Sequence, residues 1–140
     1  MLKKHGVNGF CVDKSFLTYY YSRHNTMSEE NNTIGKDIIR GHIDTIVLRL
    51  LAEQDRYGYE VYKEVLARSD GEYELKEPSL YSAFRRLEAQ GYIRAYWGEE
   101  SQGGRRKYYA ITDTGRDYCV KSRAEWLHVK KILDKLIGGN

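Results

Sequence analysis

The sequence predicts a mostly α-helical chain with one small β-hairpin, in the order helix, helix, helix, hairpin, long helix. Three observations carry this. Apolar residues recur at three- and four-residue steps from Lys36 to about Gln90, the period of helices with one buried face. The period drops to two between Ile93 and Ile111, on either side of Ser101-Gln102-Gly103-Gly104, as in a strand, a turn and a second strand. Three-four spacing then returns as far as Leu136.

Residues 1–35 show no sustained period: Gly6, Asn8, Gly9, the run Tyr19-Tyr20-Tyr21 and Ser28-Glu29-Glu30-Asn31-Asn32 read as a loose extension. Met27 precedes a polar stretch and resembles an internal start, which leaves residues 1–26 either as an upstream leader or as part of the protein. The first helix spans roughly 37–54, with Ile39, Ile43, Ile46, Val47, Leu50 and Leu51 on one face. Tyr57-Gly58-Tyr59 interrupts the pattern, and a second helix carries Tyr59, Tyr62, Val65 and Leu66 to a stop near Gly71. Pro78 opens a third helix at little cost, because a first-turn N–H has no helical partner to lose.

Gly91 ends that helix. Ile93, Ala95 and Trp97 alternate with Arg94 and Tyr96 in the first strand, and Arg105 to Ile111 forms the second. Thr112 or Thr114 caps the last helix, where Cys119, Ser122, Trp126, Val129, Leu133 and Leu136 form a seam suited to packing on another helix. The expected division is an N-terminal extension at 1–35, a winged helix-turn-helix unit at 36–111, and a C-terminal dimerisation helix at 112–140.

A chain of 140 residues is long enough for one domain with its own core. Its net charge of +3, with 31% charged residues, means that any basic surface is local. Cys11 and Cys119 are far apart and lack zinc or disulfide-framework spacing, and His5, His24, His42 and His128 lack metal spacing. No cofactor or metal is expected. No apolar run is long enough for a membrane span and no signal peptide is legible, so a soluble protein of the cytoplasm is expected. Enzyme chemistry has no residue set to carry it: Asp44, Glu60 and Asp113 are isolated acids, and Cys119 in an apolar seam behaves as a small hydrophobe.

Three helices followed by a hairpin is the winged helix-turn-helix plan, whose third helix enters the major groove of double-stranded DNA. Leu80, Ala83, Phe84 and Leu87 share one face of that helix, which leaves Ser79, Ser82, Arg85 and Arg86 on the other with Tyr81 at its edge. Arginine can bridge a guanine edge, and hydroxyls can meet bases or phosphates. In the hairpin, Gln102, Gly103 and Gly104 form a bend followed directly by Arg105, Arg106 and Lys107. Each phosphate these neutralise would add roughly 0.9 to the salt slope of binding. An exposed arginine pair or a cationic hairpin is ordinarily a solvated surface; the two together, in this order, favour DNA.

The same residues resemble the PadR family of bacterial regulators. The resemblance runs through Arg40-Gly41, Tyr57-Gly58-Tyr59-Glu60, Leu80-Tyr81-Ser82-Ala83-Phe84-Arg85-Arg86-Leu87-Glu88, Gly103-Gly104-Arg105-Arg106-Lys107-Tyr108-Tyr109, Thr112 and Gly115, and covers about 36–137. The run from Tyr96 to Tyr109 is similar to that of short-tailed, multidrug-binding members, which dimerise through one C-terminal helix. This implies a homodimeric repressor on a pseudo-palindromic operator, released by a planar aromatic effector. Trp126 matches the tryptophan that walls the ligand pore, and the resemblance implies Asp44, Thr45, Leu48, Ser122, Val129 and Lys130 as its neighbours. Without the resemblance, Trp126 reads as a core residue. Lys130 replaces an acid at its position, which disfavours cationic ligands and leaves neutral or anionic ones; Asp44 compensates in part, and Arg49 could recharge the pore. A winged helix that binds proteins instead of DNA is the alternative expectation.

Overall fold

Apolar spacing runs unbroken from Ile39 to Leu51, yet the chain divides there into two helices. The computed structural model describes residues 3–4, 11–12, 29–99 and 104–139, with side-chain surroundings from residue 35. A short antiparallel pair, β1 (Lys3–Lys4) and β2 (Cys11–Val12), precedes α1 (Glu29–Arg40) and α2 (Ile43–Glu53). At the junction the His42 N–H donates to the Ile39 carbonyl at 2.8 Å, a tightened three-residue step that ends α1. The single helix expected over 37–54 is thus corrected to two. The expected loose extension is corrected as well, since its last residues, from Glu29, are helical.

The chain continues through β3 (Arg56–Tyr57), α3 (Gly58–Arg68), α4 (Glu77–Ala89), β4 (Ile93–Trp97), β5 (Lys107–Ile111) and α5 (Asp113–Ile137). Both hairpin strands were legible, but the second starts at Lys107, so Arg105 and Arg106 precede it. The third strand was not legible: β3 pairs antiparallel with β5, Arg56 opposite Tyr109 and Tyr57 opposite Tyr108, in the order β3-β5-β4. Between β4 and β5 the register sets Ile93 opposite Ile111 and Trp97 opposite Lys107.

The core is one cluster. Val47, Leu48 and Leu51 of α2 meet Val61 and Val65 of α3, the Leu80, Ala83, Phe84 and Leu87 face of α4, and Ile93 and Tyr109 of the sheet. Removing these side chains from water contributes about 25 cal/mol per Å² of apolar surface and fixes where α4 sits. Arg56 is buried to 7% exposure, with its Nε donating to the Leu50 carbonyl at 3.3 Å and its Nη2 to Glu53 at 3.2 Å. Glu53 also receives Arg68, at 2.5 Å, which links the ends of α2 and α3.

Gly91, at φ +76°, turns the chain out of α4, and the Tyr92 N–H returns to the Leu87 carbonyl at 2.9 Å. Of the two candidate caps, Thr112 is the one used. Its Oγ1 accepts from the Gly115 N–H at 3.0 Å and donates to the Gly91 carbonyl at 2.7 Å, so one hydroxyl starts α5 and holds the end of α4.

Candidate nucleic-acid interface

Helix α4 and the wing, made by β4, β5 and the segment between them, are held to each other through aromatic rings. Phe84 of α4 stacks on Tyr109 of β5 at 3.8 Å between centroids, and Tyr81 meets Phe84 edge-on at 5.7 Å. Burial pushes the Tyr109 phenol up to about 12 and raises Tyr81 in the same direction. Tyr81 is half-buried over Gly58, where a Cβ would come within 2.8 Å of its hydroxyl oxygen, so a side chain at this position would push the Tyr81 ring aside.

Of the α4 residues singled out for DNA, Ser79 and Arg85 are exposed, and Tyr81 and Ser82 are half-buried. Arg85 has no carboxylate partner among the described residues. Arg86 differs: its Nε and Nη2 donate to the two carboxylate oxygens of Asp44 at 2.9 and 2.5 Å. That hydrogen bonding holds the guanidinium proton more tightly than usual.

In the wing, Gly104 turns at φ +87°, while Gln102 and Gly103 lie outside the described residues. Arg105, Arg106 and Lys107 are all exposed, and none has a carboxylate partner among the described residues. Each lies against an aromatic ring instead: Arg105 over Trp97 at 5.6 Å, Arg106 over Tyr57 at 4.7 Å and Lys107 over Tyr109 at 5.8 Å. An aromatic face restrains a cation without cancelling its charge. Tyr96 stacks on Tyr108 and donates to Asp55 at 2.6 Å, which stiffens the base of the wing.

A cavity of about 510 Å³ opens on another side, lined by Ile38 and Ile39 of α1, Thr45, Ile46 and Arg49 of α2, Arg68 at the end of α3 and Tyr73 beyond it, and Cys119, Arg123 and Trp126 of α5. His42 meets Trp126 with ring centroids 4.9 Å apart and planes at 62°. Burial raises the Cys119 thiol. Of the residues expected around a ligand, Thr45 and Trp126 line this cavity. Leu48 lies wholly in the core, and Asp44 is turned to Arg86. Ser122 is half-buried, and Val129 and Lys130 are exposed on α5. The pattern of the sequence did not reveal His42 or Arg123 as cavity residues: Arg123 stands one turn from Trp126 on α5, and His42 joins them only through the packing of α5 on α2.

Helices α2, α3 and α4 with a cationic wing define the winged helix-turn-helix class. Residues 47–121 match the family described as Transcriptional regulator PadR-like family, and the chain belongs to that family. It is a family of transcriptional regulators that bind DNA, not of enzymes. The chain is similar to a transcriptional regulator from Clostridium thermocellum, at 45% identity and a TM-score of 0.68, over 80% of this chain and 99% of that one. A PadR family transcription regulator from hypervirulent Clostridium difficile is 37% identical, with a TM-score of 0.61, over 69% of this chain and 98% of the other. A protein from Lysinibacillus sphaericus that bears the name Uncharacterized protein X is 47% identical over 106 residues, 76% of this chain and 97% of the relative. Among the described residues no helix is long and apolar enough to cross a membrane.

Proposed function

We propose that the protein is a cytoplasmic, homodimeric repressor that occludes a promoter by binding a pseudo-palindromic operator. The observation that carries this reading is the set of neighbouring exposed cations Arg105, Arg106 and Lys107, each held on an aromatic ring and none neutralised by a described carboxylate. In this reading α4 enters the major groove, with Ser79, Tyr81, Ser82 and Arg85 towards base edges and phosphates. The wing residues Gln102, Gly103, Gly104, Arg105, Arg106 and Lys107 follow the backbone. Residues 36–111 serve as the DNA-binding unit and 112–140 as the dimerisation helix.

Dimerisation is supported by α5, which leaves Val129, Ile132, Leu133, Leu136 and Ile137 exposed in the single chain. So much apolar surface on one helix suits a second copy of the same helix. The two copies of α4 would then reach successive major-groove faces about 34–36 Å apart. A planar aromatic effector, neutral or anionic, would stack on Trp126 in the manner of the short-tailed, multidrug-binding members, with Thr45 on one side and Ser122, Val129 and Lys130 along α5. It would release DNA only through unequal affinity for the two dimer states.

The test is to bind the purified protein to a pool of genomic fragments across a salt series and sequence what is retained. An enriched inverted repeat, with affinity falling steeply as salt rises, is the expected outcome. No enrichment, with weak binding even in low salt, would overturn the reading and favour a winged helix that binds another protein.

A further inference from the structure

Arg86 is an arginine on the outer side of the recognition helix, yet its charge is already spoken for. Asp44, in the first turn of α2, takes two of its N–H groups in a bidentate pair across 42 positions of sequence. The pair is half-exposed, so its bare attraction is modest; what a fork of two parallel hydrogen bonds supplies is geometry. Leu80, Ala83, Phe84 and Leu87 fix the buried side of α4. Apolar contact is non-directional, whereas the fork on the outer side also fixes a direction.

The neighbouring cation is a built-in comparison. Arg85 is exposed and has no carboxylate partner among the described residues, whereas a carboxylate beside Arg86 cancels most of the charge it would offer a phosphate. We propose that Arg86 is a positioning residue for DNA recognition that acts through Asp44, setting the rotation of α4 against α2, while Arg85 supplies the helix's charge to the DNA backbone. The inference rests on the DNA-binding reading above.

Affinity is measured for the inverted-repeat duplex recovered from the genomic pool and for a random duplex of equal length, using wild type, Arg86→Gln, Asp44→Asn, the double variant and Arg85→Gln, each with its thermal midpoint. Arg86→Gln and Asp44→Asn should each lose on the order of tenfold for the selected duplex, the scale of a coupled pair. The double variant should lose no more than either single one. Affinity for the random duplex and the salt slope should stay at wild-type values, because the wing cations are untouched. Arg85→Gln should lower the slope by about 0.9 for each half-site, about 1.8 for the dimer, on both duplexes.

A merely structural role would weaken both duplexes together and lower the thermal midpoint, and that result would overturn the proposal. So would a lower salt slope in Arg86→Gln together with tighter binding in Asp44→Asn, the signature of a direct phosphate contact masked by a carboxylate. If wild type selects no fragment at all, the DNA-binding reading itself fails and takes the proposal with it.

Discussion

The ring of Phe84 in α4 lies face to face with the ring of Tyr109 in β5, centroids 3.8 Å apart and planes within 12°. This contact joins the recognition helix to the wing, so the two surfaces that would meet DNA are set by one buried stack. Phe84 is 1% exposed, and truncating a phenyl group in such a site removes its transfer energy and leaves a cavity. Phe84→Ala should therefore lose on the order of 3–5 kcal/mol in urea unfolding. A loss below about 1 kcal/mol would place the stack outside the cooperative core.

The same burial gives Tyr109 a titration signature. Its phenol stands at about 12 against an ordinary 10.0, with burial as the first cause. The folded state holds the proton longer than the unfolded state does, so the contribution is complete below pH 10 and is lost as pH rises from 10 towards 12. Phenolate absorbance should show a late-ionising fraction to which Tyr109 contributes until the chain unfolds. Tyr109→Phe should shrink that fraction by one tyrosine, and an unchanged late fraction in the variant would assign it elsewhere.

At the acid end Glu53 contributes. The hydrogen bond from Arg68 is the main cause that lowers its carboxyl from 4.5 to about 2, with Arg56 and Arg49 adding to the effect. Because the folded value is depressed, the stabilisation is present above pH 4.5 and is lost as pH falls from there towards 2. Glu53→Gln should lower the thermal midpoint at neutral pH and flatten its fall between those pH values. An unchanged acid profile would mean that the link between the ends of α2 and α3 is not formed in solution.

Arg105 lies over Trp97 at 5.6 Å and faces solvent with its charge intact. Arg105→Ala should weaken binding to every duplex alike and lower the salt slope by about 0.9 per neutralised phosphate in each half-site. Unchanged affinity and slope would remove the wing from the proposed interface.

Helix α5 offers a separate test. Leu133 is 41% exposed in a row with Val129 and Leu136. Placing a charge there should break the proposed helix-to-helix contact between copies without touching the winged unit. Leu133→Asp should elute as a monomer in size-exclusion chromatography with its helical circular dichroism kept. A variant that stays dimeric would require another interface.

Much of this was legible in local pattern. The buried face Leu80, Ala83, Phe84 and Leu87, the pairing of β4 with β5 around a glycine bend, a threonine cap narrowed to Thr112 or Thr114, and the run of α5 all follow from spacing within a few residues, where period and turn chemistry act directly. The wing cations were visible for the same reason, as a short run behind two glycines. The break between α1 and α2 was not, because Ile39 and Ile43 keep helical spacing across it while the backbone tightens at His42.

What only the tertiary structure decided is who meets whom at a distance. A two-residue strand has no period of its own, so β3 exists because β5 is there to pair with it. Leu48 and Trp126 were both expected at a ligand pore, yet Leu48 lies wholly in the core while Trp126 lines a cavity, a difference set by how the helices dock on α2. Asp44 and Arg86 read as two independent surface charges until α2 and α4 pack and bring the carboxylate under the guanidinium. Period and turn chemistry are set by neighbours in the chain, and the sequence by itself determined them; pairings of this kind depend on the docking of whole helices, which no local spacing encodes.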